Sequence, residues 1–193
     1  FSNSTSREYP NQRNVIVRGL MTPPTEKKYN DDGTPTKGYN STSYTPIWYQ
    51  YYNDQNNRYR RMSAYGKLTY YIFDGLKAQM EISNYDEYGL EHSFQKANEY
   101  SSLRPITESY SGLTRNKLEI YATYNKSLGL HSFSAMGGYS YQKEEDRGLS
   151  ASADGASSDK VPTLTASPDK EDATSSRTWD ILVGYFGRLT YDY

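Results

Sequence analysis

Alternation of apolar and polar residues in the stretch 64–88, AYGKLTYYIFDGLKAQMEISNYDEY, is the feature that most limits what this chain can fold into. After the Asp-Gly pair at 74–75, alternate positions form two sets, namely Leu76, Ala78, Met80 and Ile82, and Lys77, Gln79, Glu81 and Ser83. A period of two is that of a β-strand, whose successive side chains point to opposite faces. Asp-Gly between two such runs signals a tight hairpin turn. The stretch therefore predicts a hairpin with one apolar and one polar face.

The same period recurs along the chain and predicts strands at about 61–73, 76–88, 115–128, 131–142 and 179–193. Short turns join strand 61–73 to strand 76–88 and strand 115–128 to strand 131–142. The long polar segments 89–114 and 143–178 are predicted to be outer loops. Strands of this length, with short turns at one end and long loops at the other, are typical of outer-membrane barrels. The predicted fold is an all-β, antiparallel, up-and-down segment of a transmembrane β-barrel.

Composition agrees with a wide barrel rather than with an ordinary soluble core. Only 35% of the chain is hydrophobic, 22 residues are Tyr, and the mean hydropathy is −0.95. No apolar run approaches the ~20 residues of a membrane-spanning helix. A wide barrel needs an apolar outer surface and a polar lumen, so a low mean hydropathy is expected of it. The residues predicted to face lipid are Leu76, Ala78, Met80, Ile82, Leu118, Ile120, Ala122, Ile181 and Val183.

Charge and reactive residues argue against several classes of function. The 22 basic and 23 acidic residues are well mixed and give a formal charge of −1, without the basic patch that nucleic-acid binding requires. There is no Cys, and the two histidines, His92 and His131, have no metal-ligand spacing. No Gly-x-Ser-x-Gly motif is present. We therefore expect no catalytic residues, no metal and no cofactor, and a protein that is not an enzyme.

The first 60 residues lack a sustained strand period and read as an extracellular loop region, with a short helix near 11–20. The Tyr-rich segment 44–61, at the end of this loop region, has the aromatic and polar composition of a ligand pocket. The residues predicted to bind ligand are Trp48, Tyr49, Tyr51, Tyr52, Asn53 and Arg58. Packing of these rings against neighbouring segments or a partner is the alternative, and spacing alone does not separate the two.

Five strands cannot close a barrel of this kind, because bacterial barrels have an even number of strands and an open edge is not tolerated in hydrocarbon. We therefore expect the chain, which starts at Phe1 without Met, to be a piece of a larger polypeptide.

Several motifs, in order along the chain, resemble the SusC/RagA-type TonB-dependent transporters of Bacteroidetes. They are the Pro-Pro and Tyr-Asn-x-x-Gly segment TPPTEKKYNDDGTPTKGYN, the hairpin GKLTYYIFDGLKAQMEISNYDEY, the strand HSFSAMGGYSYQKEEDRG and the strand YFGRLTYDY. The resemblance covers nearly the whole chain.

The resemblance implies a plugged barrel of about 22 strands in the bacterial outer membrane. It also implies import of a nutrient, an oligosaccharide or a peptide, with a SusD-like lipoprotein over the outer mouth and TonB as the energy-coupling partner. The plug domain and the TonB box are absent from these residues. Two alternatives stay open on the sequence, namely a soluble extracellular carbohydrate-binding module and a surface adhesin barrel.

Overall fold

The computed structural model describes residues 2–6, 12–38 and 44–193, and almost all of its regular structure is β. Strand β1 spans Ser2–Ser6, helix α1 Gln12–Met21 and helix α2 Pro46–Tyr52. The five long strands are β2 Asn53–Phe73, β3 Leu76–Gln95, β4 Ile106–Leu128, β5 His131–Asp154 and β6 Asp169–Asp192. A single 3-10 turn at Leu164–Ala166 precedes β6.

The strands form one antiparallel sheet in the order β1-β2-β3-β4-β5-β6, so each strand pairs with its neighbours in sequence. Two-residue turns join β2 to β3 and β4 to β5, and Gly75 and Gly129 have positive φ angles of 87° and 63° there. We call this end of the sheet the turn end and the opposite one the outer end.

The long strands extend further than the sequence predicts, by between 7 and 12 residues at the outer end. The predicted outer loops 89–114 and 143–178 are therefore corrected to 96–105 and 155–168. The physical reason is that the outer parts of the strands are polar on both faces, for example TESYS at 107–111 and SASAD at 150–154. Such segments lack a hydrophobic period, and the ladder of backbone hydrogen bonds to neighbouring strands holds them extended.

The N-terminal region is only partly within the described residues. Helix α1 occupies the place of the predicted short helix, and β2 begins at Asn53 within the predicted loop region 1–60. Positions 1, 7–11 and 39–43 of that region lie outside the described residues. Neither α-helix in the described ranges has the length and apolarity that crossing a membrane would demand.

A small apolar cluster closes the outer end of the sheet. Phe94, Ile106, Ala153 and Ala156 are each at most 1% exposed, and Leu164 packs against them. The cluster joins the ends of β3, β4 and β5 to the loop 155–168. It gives this end of an otherwise thin sheet a dry core of its own.

The turn at Asp74-Gly75 depends on glycine for two reasons. Gly75 has a φ of +87°, and a Cβ at this position would collide with the backbone carbonyl oxygen of Asn125. Gly129 has a φ of +63°, but its Cβ would meet nothing within 4 Å. We expect Gly75→Ala to lower the free energy of unfolding by more than the roughly 1–2 kcal/mol of an unfavourable φ alone. Gly129→Ala should cost only that amount.

The measurement is the urea midpoint of the purified full-length protein in detergent, for the two variants in parallel. Equal losses in the two variants would show that the approach of Asn125 does not matter.

Candidate functional site

Strand register places all nine residues that are predicted to face lipid on one side of the sheet. Met80 pairs with Leu68 and Ile120, and Ile82 pairs with Leu118. Ile120 continues through Tyr139 to Tyr185, so the same side runs across all five long strands. We call this side the apolar face. On β5 its apolar run from Phe133 to Tyr141 is roughly 27 Å long at ~3.4 Å per residue. At a tilt of ~40° that run is about 21 Å high, close to the ≈ 25 Å apolar band of an outer-membrane barrel.

The opposite side, which we call the polar face, carries paired charges at the same level. Lys67 Nζ lies 2.8 Å from Glu81 Oε1, which also accepts a 2.7 Å hydrogen bond from the Tyr121 hydroxyl. Further ion pairs lie nearby, namely Lys117–Glu119, Arg115–Glu144 and Arg61–Glu87. Each of these four cations is matched by a carboxylate on a neighbouring strand or two residues away on its own strand. The face is therefore hydrated and close to neutral, as the wall of an aqueous channel would be.

Towards the outer end, hydroxyl and amide groups largely replace the charges on the polar face. Successive register rows there are Gln55, Ser93, Thr107, Ser152 and Asp172, then Asn57, Glu91, Ser109, Ser150 and Thr174, so each row of five has one carboxylate. Ser109 and Ser150 share a 3.0 Å hydrogen bond, whereas the buried side-chain oxygens Gln55 Oε1 and Asn57 Oδ1 have no partner among the described residues. Such a surface offers donors and acceptors for an uncharged polar solute.

The aromatic residues of α2 pack mainly against one another and their surroundings. Trp48 is 2% exposed and stacks on Tyr44 with ring centroids 4.4 Å apart, and the Tyr52 ring lies 4.9 Å from it. Pro46 at the first position and the Thr45 side chain, which accepts from the Trp48 N–H, begin the helix. In this arrangement the Trp48 ring has no open face for a solute.

The other predicted ligand-binding residues do not converge on one point. Asn53 ends α2 by donating from its side chain to the Tyr49 carbonyl oxygen at 3.0 Å. Tyr51 is 48% exposed, with the Lys96 ammonium 5.0 Å from its ring centroid. Arg58 is exposed on the side of β2 that continues the apolar face, the opposite side from Asn53. Solute contact by these six residues therefore stays a prediction, and Tyr51 is the ring best placed for it.

A buried cation lies between Tyr44, just before α2, and Tyr100 in the loop between β3 and β4, and nothing in the sequence pattern signals it. Lys37 is 8% exposed, and its Nζ lies 3.8 Å from the Tyr100 ring centroid and 4.8 Å from that of Tyr44. Cation–π contacts of this kind are strongest when they are desolvated. A cavity of about 320 Å³ opens beside Lys37, with Glu26 and Glu99 in its wall. The cavity has the size and polarity to hold one small polar group.

An ion pair fastens the two outer loops to each other. Arg104 Nε lies 2.6 Å from Asp159 Oδ1, and Arg104 Nη1 donates to the Ala156 carbonyl oxygen at 3.1 Å. Asp159 Oδ1 also accepts from the Ala97 N–H at 3.0 Å. Arg104 has a φ of +52°, an unusual conformation for a residue other than glycine. Because the two partners lie 55 residues apart, this clamp cannot be seen in the sequence.

The clamp should be stable at neutral pH and open in acid. Partial burial by itself raises the pKa of the Asp159 carboxyl, but bonds from Arg104 and the Ala97 N–H outweigh it and hold that pKa below its ordinary value of 3.8. A lowered folded-state pKa stabilises the fold above pH 3.8, and that contribution is lost as the pH falls through the folded value.

We therefore expect amide exchange at Ala97, corrected for intrinsic pH dependence, to be constant from pH 7 to about pH 4 and to rise only below the ordinary carboxyl pKa of 3.8. Asp159→Asn should show fast exchange at every pH. A rise that began near pH 6, or an unchanged Asp159→Asn variant, would contradict this account.

Within the described ranges, no group of three or more His, Asp and Glu side chains is arranged to hold a metal ion. His92 Nδ1 lies 2.6 Å from Glu108, and His131 Nδ1 lies 2.7 Å from the Tyr191 hydroxyl. Both histidines thus have ordinary hydrogen-bond partners.

Known proteins that this chain is similar to include one curated relative and several solved structures. It is 37% identical over 89 residues to TonB-dependent receptor P3 of Formosa agariphila, a match that covers 45% of this chain and 9% of that protein. No family model matches the chain.

Two structures of the RagAB peptide importer and transporter superpose on it with TM-scores of 0.77 and 0.76, at 18% and 17% identity. Each superposition covers 86% of this chain and 20% of the other chain. The chain thus spans about a fifth of the length of these structural neighbours. The predicted all-β, antiparallel, up-and-down fold is confirmed. The similarity to a TonB-dependent receptor and the fold shared with RagAB chains agree with the resemblance to SusC/RagA-type transporters.

Proposed function

We propose that these residues form one arc of the wall of a TonB-dependent importer in the bacterial outer membrane. The observation that carries the proposal is the division of five long strands into one apolar face and one face of paired charges. Similarity to a TonB-dependent receptor and to RagAB importer chains supports it. In this arrangement the apolar face contacts lipid and the polar face lines the lumen, through which solute passes without chemical conversion.

The proposed solute is an oligosaccharide or a peptide. The hydroxyl- and amide-rich outer part of the polar face suits an uncharged polar chain, because it supplies donors and acceptors with few fixed charges. The proposed partners are a SusD-like lipoprotein over the outer end and TonB, which would act through a region outside these residues. The similarity to RagAB, whose printed description is a peptide importer, supports the peptide alternative.

Membrane topology provides the direct test, and adjacent residues supply a matched pair of variants. Ala122 lies on the apolar face and Thr123 on the polar face of the same strand, and the chain has no Cys of its own. In the full-length protein in intact outer membranes, a water-soluble maleimide should label Thr123→Cys and not Ala122→Cys. A full-length protein that is absent from the membrane fraction would overturn the importer in favour of a soluble binding module.

Uptake distinguishes an importer from an adhesin barrel. Cells that produce the full-length protein should accumulate a fluorescent oligosaccharide or peptide, and a protonophore should abolish accumulation but leave surface binding unchanged. Surface binding without protonophore-sensitive accumulation would favour the adhesin.

A further inference from the structure

On the apolar face, the apolar run that starts at the turn end of each long strand stops at one position, although Tyr88, Leu90, Tyr110 and Leu149 lie beyond it on the same side. In β6, for example, the run from the turn end consists of Tyr191, Leu189, Gly187, Tyr185, Val183, Ile181 and Trp179, and it stops at Arg177. The five positions of change are Arg60, Asn84, Asn116, Lys143 and Arg177. Three are cations and two are amides, and the acidic residues Asp86 and Glu145 follow two positions further out on β3 and β5. We call the five positions, together with Arg147, the cross-strand partner of Arg177, the border.

The strongest part of the border lies on β5 and β6. Arg147 and Arg177 are direct cross-strand partners, an arrangement in which like charges repel. Glu145 lies between them, 2.6 Å from Arg147 Nε and 2.7 Å from Arg177 Nε. Lys143 follows on the same side of β5. This subsite holds three cations and one carboxylate, so it carries a net positive charge.

Exposure leaves those cations available to a ligand. The side chains of Arg147 and Arg177 are 56% and 57% exposed, whereas that of Glu145 is only 15% exposed. Trp179 is 59% exposed, and the Arg177 guanidinium lies 5.8 Å from its ring centroid. Trp beside a basic residue is typical of a side chain at the membrane–water interface.

Three cations of the polar face, unlike Arg147 and Arg177, each have a carboxylate of their own. Lys67, Arg61 and Lys117 each lie within 2.9 Å of a carboxylate. A lumen filled with water and solute requires such balance, whereas an excess of exposed positive charge next to an apolar band is matched by anionic headgroups.

We propose that the border binds the phosphate groups of anionic lipids in the outer leaflet, with Lys143, Arg147 and Arg177 as the main subsite. The inference rests on the proposed function, because it requires the apolar face to contact lipid. The guanidinium groups donate to phosphate oxygens, the ammonium group adds a third positive charge, and Glu145 holds the two arginines in place. The Asn84–Asn116 pair, joined by a 3.0 Å hydrogen bond, continues the border with amide groups.

The test compares binding of bisphosphorylated and dephosphorylated lipid A to the full-length protein in a neutral detergent with EDTA present. One variant combines Lys143→Gln, Arg147→Gln, Arg177→Gln and Glu145→Gln, so that no unpaired carboxylate remains. The matched control combines Arg61→Gln, Arg115→Gln, Lys117→Gln and Glu87→Gln on the polar face. Heat-modifiable electrophoretic migration verifies that both variants are folded.

We expect wild type and control to prefer the bisphosphorylated lipid, and the border variant to bind it on the order of a hundredfold more weakly, at roughly fivefold for each cation removed. Equal binding of the two lipids by wild type, or unchanged binding by the border variant, would overturn the inference. If either result is found in a protein that shows the expected maleimide labelling, only the lipid-binding inference fails and the proposed importer function stands. A wild-type protein that does not insert into membranes overturns both proposals.

Discussion

Met80→Arg should strongly reduce assembly of the full-length protein into a folded barrel. Met80 lies in the middle of the apolar run of β3, paired with Leu68 and Ile120 on the neighbouring strands. A charged side chain on the lipid face near the bilayer midplane costs roughly 2–4 kcal/mol. Ile120→Arg, directly opposite Met80 on β4, should have a similar effect. The measurement is the fraction of protein that shows heat-modifiable migration after refolding into lipid vesicles.

Thr123→Arg is the appropriate control for these two variants. Thr123 lies on the polar face of β4, three residues from Ile120, and is partly exposed. An arginine there projects towards water, so assembly should be close to that of wild type. Gln79 is less suitable, although it shares this face, because it is only 8% exposed and has little room for a longer side chain. Equal loss of assembly in Met80→Arg and Thr123→Arg would mean that the faces are assigned wrongly.

Phe94→Ala should release the outer loops while the rest of the sheet stays folded. Phe94 is 1% exposed and packs with Ile106, Ala153 and Ala156. Truncating a fully buried Phe costs about 3–5 kcal/mol, from lost burial and from the cavity that remains. Because the cluster joins the strand ends to the loop 155–168, the loss should appear there. The hydrogen bond from the Gly155 N–H to the Leu103 carbonyl oxygen, 2.7 Å long, reports on this region.

Hydrogen exchange measured amide by amide tests the localisation. In Phe94→Ala, exchange at Gly155 should rise by roughly two to four orders of magnitude, the factor that about 3–5 kcal/mol corresponds to. The Asn125 N–H, which bonds to the Gly75 carbonyl oxygen at the turn end, should be unchanged. Leu90→Ala is the control, because Leu90 lies on the same side of β3 and is 52% exposed. Equal effects of the two substitutions would show that the cluster does not hold the loops.

Where one face of a strand is apolar, the local sequence pattern was sufficient to predict which side chains share that face. The alternation of residues 76–82 and 118–122 predicts which side chains share a face, and the register agrees with it. A one-residue slip would turn every apolar side chain to the other face, so burial or lipid contact specifies the register strongly. The two tight turns could also be predicted from their glycines, since a positive φ angle favours glycine.

Contacts that depend on tertiary packing could not be predicted from the sequence. Trp48 is of a residue type that often binds ligands, but the Tyr44 and Tyr52 rings pack against it and it is buried. Arg104 and Asp159 form a clamp across two loops, and the outer halves of the strands pair without any hydrophobic period. The clamp joins residues far apart in sequence, and the outer strand halves are held by a backbone ladder that is indifferent to side-chain type. The rings around Trp48 lie only four residues away, but the sequence does not show that they pack together and bury it.

The sequence alone therefore determined the strand faces, the two tight turns and the resemblance to a transporter barrel, because these depend on neighbouring residues and on a period of two. Only the tertiary structure decided the length of the strands, the enclosure of Trp48, the clamp at the outer end and the border of cations and amides across five strands. Those features depend on which strands and loops come together, and that depends on register and packing across the whole sheet.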